Sequence, residues 1–136
     1  MRNKIILIIF SVITLHVSGQ QTDDMTKADI KKGMVKIAIM YPNEVNKTFD
    51  MDYYANKHMP MVASLFGAPL KAYAIDKGIS GRTPDEPLPY LAFGYFYFDS
   101  VTAYNEAFGP NAEKILGDIP NYTNIKPVVL ISEVVR

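Results

Sequence analysis

The chain has no cysteine among its 136 residues and only two histidines. Without thiols it can form no disulfide, so its fold must be held by packing alone, and no lipidated cysteine can anchor it. Two histidines and no cysteine also fall short of a typical zinc or copper site within one subunit, so no metal is expected. Charge of one sign is equally scarce, since 14 Lys and Arg face 14 Asp and Glu. That balance gives no electrostatic reason to expect nucleic acid or an anionic membrane as a partner. Long apolar runs are missing too. The longest candidate, from Ile5 to Val17, is 13 residues, against the ~20 that a membrane-spanning helix needs.

That short run has another meaning. Arg2 and Lys4 precede it, and the small residues Ser18 and Gly19 follow. This is the pattern of a secretory signal peptide over residues 1–19, and it makes the product exported, either periplasmic or secreted. Gln20-Gln21-Thr22-Asp23-Asp24 offers no stop-transfer charge cluster, so no stable membrane insertion is expected after processing. Removing residues 1–19 leaves 117 residues, the length of one domain. His16 leaves with the segment, and His58 becomes the lone histidine. Residues 20–32 read as a polar leader and residues 33–136 as the folded domain.

Within that domain the pattern alternates between two periods. Residues 34–41 read as a strand stopped by Pro42, and residues 70–76 as a second. Gly78 to Pro89, with three prolines and two glycines, is a loop. Tyr90 to Phe98 is the strongest strand, and residues 128–135 form the last. A helix opened by Asp50 and Asp52 lies between the first two strands. A second runs from Val101 to about Leu116, capped by Asp99-Ser100 and kinked at Gly109-Pro110. The order is α+β, the ferredoxin-like βαββαβ arrangement with a four-stranded antiparallel sheet and both helices on one face.

The third strand is apolar on both faces. Leu91, Phe93, Tyr95 and Tyr97 point one way, while Ala92, Gly94, Phe96 and Phe98 point the other. Two helices cover one face only, and a bare apolar sheet face is unusual for a soluble monomer. A second copy packing sheet to sheet closes a dimeric α+β barrel, so the expected partner is the chain itself.

Chemistry centres on the first helix. Met51, Tyr54, Ala55, His58, Val62 and Leu65 recur at steps of three and four, which places His58 on the buried stripe one turn beyond Tyr54. Pro60 has no N–H, so the helix should kink or restart just after the histidine. His58 is either a core residue donating to a freed carbonyl or a general acid/base at a cavity mouth. Tyr41, at the end of the first strand, and Tyr54 are core aromatics or hydroxyls aimed at one bound group. Asp118, before a proline-bearing turn, caps that turn or orients the imidazole. Ser132, polar between apolar neighbours, faces a cavity or the dimer seam.

Tyr41-Pro42, Phe49-Asp50, Tyr53-Tyr54 with His58 and Pro60, Phe98-Asp99-Ser100, and Asp118-Ile119-Pro120-Asn121-Tyr122-Thr123 through Ser132-Glu133 resemble the EthD-like family. The likeness runs over residues 34–135. That family belongs to the dimeric α+β barrel superfamily and is named for a protein linked to bacterial ethyl tert-butyl ether degradation. The resemblance implies a homodimer that binds a small apolar ligand in the barrel, loosely tied to oxidoreductase systems. An exported chain departs from the intracellular setting of the namesake. Two classes of function are open: a cofactor-free enzyme in which His58 moves protons, and a non-catalytic small-molecule binding protein. A haem- or quinol-related monooxygenase of the same fold rests on fold analogy alone.

Overall fold

The four strands owe their order to β-branched and aromatic runs, each broken by proline or glycine. The computed structural model describes residues 30–136, so the expected signal peptide over 1–19 and residues 20–29 of the expected polar leader lie outside the described residues. The strands are β1 (Val35–Pro42), β2 (Ala72–Lys77), β3 (Tyr90–Phe98) and β4 (Val128–Glu133). They form one antiparallel sheet in the order β2-β3-β1-β4. With a helical segment after β1 and another after β3, this is the ferredoxin-like α+β fold. β3 has the bounds the sequence suggests. β2 starts two residues late because Gly67, at φ +60°, turns the chain and Leu70 N–H donates to the Gly67 carbonyl. β4 ends at Glu133, although Val134 N–H still donates to the Met34 carbonyl at 2.8 Å.

Register sorts the side chains into two faces. Ile37, Ile39 and Tyr41 of β1 pair with Phe96, Gly94 and Ala92 of β3, and these lie beneath the helices. Phe96, Phe98 and Ala92 are buried there, with Val62 and Phe66 of the first helix in the same cluster. On the opposite face Leu91, Phe93, Tyr95 and Tyr97 are half-buried. The rings of Phe93 and Tyr95 stack 6.1 Å apart, and the Lys36 ammonium lies over the Tyr95 ring. The helices do not reach across the whole sheet. Val129 and Ile131 share the helix-side face with Ile39 and Ile37, yet are 53% and 44% exposed. On the other face of the same strand, Val128 and Leu130 are exposed as well.

The first helical segment spans residues 51–66 and is not a uniform helix. Met51–Tyr53 is α, Tyr54–His58 is a π turn, and Met59–Phe66 returns to α. The irregularity therefore falls before Pro60 rather than after the histidine. The widened turn is closed by Met59 N–H donating to the Tyr54 carbonyl, five residues back. Proline, lacking an N–H and sitting in the first turn of Met59–Phe66, asks for no acceptor in the disturbed stretch. The second helical segment breaks where expected, with a 3₁₀ turn at Gly109–Asn111 between Val101–Phe108 and Ala112–Asp118. Asn111 Nδ2 donates to the Ala107 carbonyl and to the Leu65 carbonyl, tying the break to the first helix.

Candidate functional site

Three chain segments meet at the open end of β1. Tyr41 closes that strand, Tyr54 and His58 come from the π turn, and Asp118 ends the second helix. The turn after it, Ile119–Asn121, carries Tyr122 inward. This meeting is fixed by backbone. Asp50 caps the first helix, its side chain accepting from Tyr53 N–H, while its own N–H donates to the Tyr122 carbonyl at 2.7 Å. Phe49 and Thr123 form an isolated bridge, and the Thr123 hydroxyl donates to the Thr48 carbonyl. The loop before the helix and the loop after Asp118 are thus stitched together.

His58 is 5% exposed, the more buried of only two buried polar residues among those described. Its ring stacks on Tyr54, with centroids 5.8 Å apart at 18°, and tilts against Tyr122 at 4.6 Å. Nδ1 lies 2.8 Å from Asp118 Oδ2. The other carboxylate oxygen accepts two further bonds, from the Tyr53 hydroxyl and from Asn121 Nδ2, each at 2.9 Å. Burial alone raises the Asp118 pKa, but the donors His58, Asn121 and Tyr53 together hold it below its usual value. Burial lowers the His58 pKa more than the bond to Asp118 and its charge raise it. The stable state is therefore a carboxylate beside a neutral imidazole, and Nδ1 must carry the ring proton.

That tautomer leaves a lone pair on Nε2. No hydrogen bond to Nε2 forms among the described residues, where Tyr54 Oη is the sole fully buried side-chain polar atom left without a partner. Nε2 therefore has no hydrogen-bond partner among the described residues. The Tyr54 hydroxyl is orphaned against the sheet, where Gly94 gives it room: a Cβ on Gly94 would fall on the hydroxyl oxygen. Burial pushes the pKa of Tyr54, and of Tyr122, far above the ordinary phenol range, so both stay protonated. The hydroxyls of Tyr41 and Tyr122 satisfy each other at 2.6 Å. Open clefts flank the cluster, one of about 520 Å³ reaching Asp118, Asn121 and Lys114, the other of about 570 Å³ reaching Phe49 and Tyr122.

The fold brings Tyr41, Tyr54, His58 and Asp118 into this one cluster. Ser132 lies apart from it. Its hydroxyl is 3.4 Å from the Lys36 carbonyl, and the register with Lys36 puts it on the sheet face away from the helices. A ligand touching His58 and one touching Ser132 would sit on opposite sides of the sheet. Tyr53, Asn121 and Tyr122 are the residues that sequence reasoning did not assign to the site. The spacing Asp118-Ile119-Pro120-Asn121 is the available signal, since a turn there returns an amide to the carboxylate three residues earlier. Among the described residues no three His, Cys, Asp or Glu side chains gather as a metal-binding group.

The family model described as the EthD domain matches residues 43–125, more than half of the chain. The chain belongs to the EthD family. An EthD-like protein from Ralstonia eutropha JMP134 is 40% identical, with 78% of this chain and 96% of that one covered at a TM-score of 0.73. An EthD family protein from Bacillus halodurans C-125 is 19% identical over 74% of this chain and 98% of its own, at a TM-score of 0.50. A hydroxynitrile lyase from Passiflora edulis is 14% identical over 76% and 95%, also at 0.50, a likeness of fold alone. Comparison with curated proteins gives no significant match. The matched segment of this EthD-family chain contains Tyr54, His58 and Asp118; Tyr41 and Ser132 flank it. No helix among the described residues is long and apolar enough to cross a membrane.

Proposed function

We propose that this EthD-family protein is an exported, cofactor-independent acid–base protein whose His58 takes a proton from a small, largely apolar, oxygen-bearing compound. The observation that carries this reading is the 2.8 Å contact of Nδ1 with a carboxylate that is itself held by two other donors. It fixes the tautomer and leaves Nε2 as the unprotonated ring nitrogen of an imidazole that burial keeps neutral, a form able to accept a proton. The aromatic side chains of Tyr41, Phe49, Tyr54 and Tyr122 form the surroundings, with centroids about 5–6 Å apart. Assembly as a homodimer through the open sheet face belongs to the same proposal. It is supported by the half-buried aromatics of β3 and the exposed apolar side chains of β4.

Native mass spectrometry of the protein from its source identifies a compound that co-purifies. Hydrogen–deuterium exchange into that compound in heavy water then reads proton transfer directly. His58→Gln, which keeps a donor and an acceptor, should slow the exchange ~10²–10⁴-fold while the protein stays folded. Binding that survives in His58→Gln, with no exchange by the wild type, makes this a binding protein instead.

A further inference from the structure

Asp118 is gripped on both oxygens, and the two grips differ. Among the described residues Oδ2 serves His58 alone, whereas Oδ1 accepts from the Tyr53 hydroxyl and from Asn121 Nδ2. Tyr53 is unusually well placed for a half-buried tyrosine. Its ring stacks on Tyr122 at 6.2 Å and 20°, and the Lys57 ammonium lies over it, 5.1 Å from its centroid. A cation over the ring draws electron density from the phenol and strengthens its O–H as a donor. The bond to Asp118 in turn holds the phenol proton in place, so the Tyr53 pKa is raised.

We infer that Tyr53 is a positioning residue that sets the basicity of His58 through Asp118, with Asn121 acting on the same oxygen and Lys57 reinforcing Tyr53 from the surface. A donor on Oδ1 withdraws negative charge from the carboxylate. Less charge then remains on Oδ2 to favour an imidazolium at His58. Tyr53 therefore keeps the imidazole neutral and its Nε2 free, while the carboxylate still orients the ring. Removing the Tyr53 hydroxyl should push the His58 pKa up. Removing the Asp118 charge should push it down, because that charge and its hydrogen bond are what oppose burial. The inference rests on His58 being the working base only for its consequence in catalysis; the coupling itself is independent of any reaction.

The test is a titration of the imidazole signals of the full chain by NMR, with His16→Gln identifying the other histidine. Tyr53→Phe keeps the ring, its stacking and the lysine above it, and should raise the His58 pKa by roughly half a unit or more. Asn121→Ala removes the second donor from the same oxygen and should move it in the same direction, which keeps the test valid should one variant fold poorly. Asp118→Asn should move it the opposite way. Lys57→Gln should raise it slightly, by weakening the Tyr53 donor. A His58 pKa that stays put or falls in Tyr53→Phe and Asn121→Ala overturns the inference. A pKa that rises as expected in a protein without proton-transfer activity leaves the coupling standing and removes the proposed function instead.

Discussion

Tyr54 and Tyr122 sit side by side in one aromatic cluster, yet their hydroxyls are in opposite situations. Tyr122 shares a bond with Tyr41, whose ring is 1% exposed, so Tyr122→Phe strands a buried hydroxyl. That should cost about 1–3 kcal/mol of stability. Tyr54→Phe removes a hydroxyl that has no partner and should leave stability unchanged or raise it by about 1 kcal/mol. Chemical denaturation of the two variants separates them. His58 adds a pH dependence of its own. Its folded pKa lies below the ordinary 6.5, so the unfolded chain binds the proton more readily and stability falls as pH drops below about 6.5. Asp118 acts far lower, its contribution being lost only as pH falls through its depressed carboxyl pKa. Melting temperatures between pH 7.5 and 5.5 should therefore decline in the wild type and decline less in His58→Gln.

At the scale of elements, the close approach of the first helix to β3 depends on Gly94. A Cβ there meets the Tyr54 hydroxyl and presses on Met59 Cε at 3.1 Å. Gly94→Ala should destabilise by about 1–3 kcal/mol, and less so in a Tyr54→Phe background, where the clashing oxygen is gone. A double-mutant cycle by denaturant titration measures that difference. Much of the layout is legible in the sequence alone. The alternation in Tyr90 to Phe98, the Ser100 cap, whose Oγ accepts from Ala103 N–H at 3.1 Å, and the Gly109-Pro110 break come from local rules of period, capping and missing donors. The π turn is not legible there. Proline announces a disturbance but not whether the helix absorbs it by kinking or by widening, since that depends on what the freed side chains meet. The grip of Tyr53 on Asp118 is hidden for a similar reason: the two are 65 positions apart, and no local pattern brings them together, whereas the spacing of Asn121 from Asp118 is local. Ser132 shows the converse. Polarity in an apolar strand marks a position without saying which side of the sheet the rest of the site occupies.

The whole molecule presents more apolar surface than its helices cover. The side chains of β4 are exposed on both faces, and the aromatics of β3 are half-open on one. If a second copy covers that surface, sedimentation of the purified protein at micromolar concentration should give a dimer. Phe93→Asp, on the open face, should then yield a folded monomer. Phe96→Asp, at 2% exposure beneath the helices, should fail to fold, because it buries an unpaired charge. Export has its own check: N-terminal sequencing of the native protein should find Gln20 or a close neighbour first, whereas a product starting at Met1 in the cytosol removes that expectation. The pairing of His58 with Asp118, 60 positions later, and of Tyr41 with Tyr122, 81 later, has a kinetic consequence. Each half of the βαββαβ chain supplies one member of each pair, so neither pair exists in one half alone. A chain caught part-way through folding lacks both contacts, so the proposed proton transfer would be switched on only by completion of the fold, the long sequence separation of the pairs making that a late event.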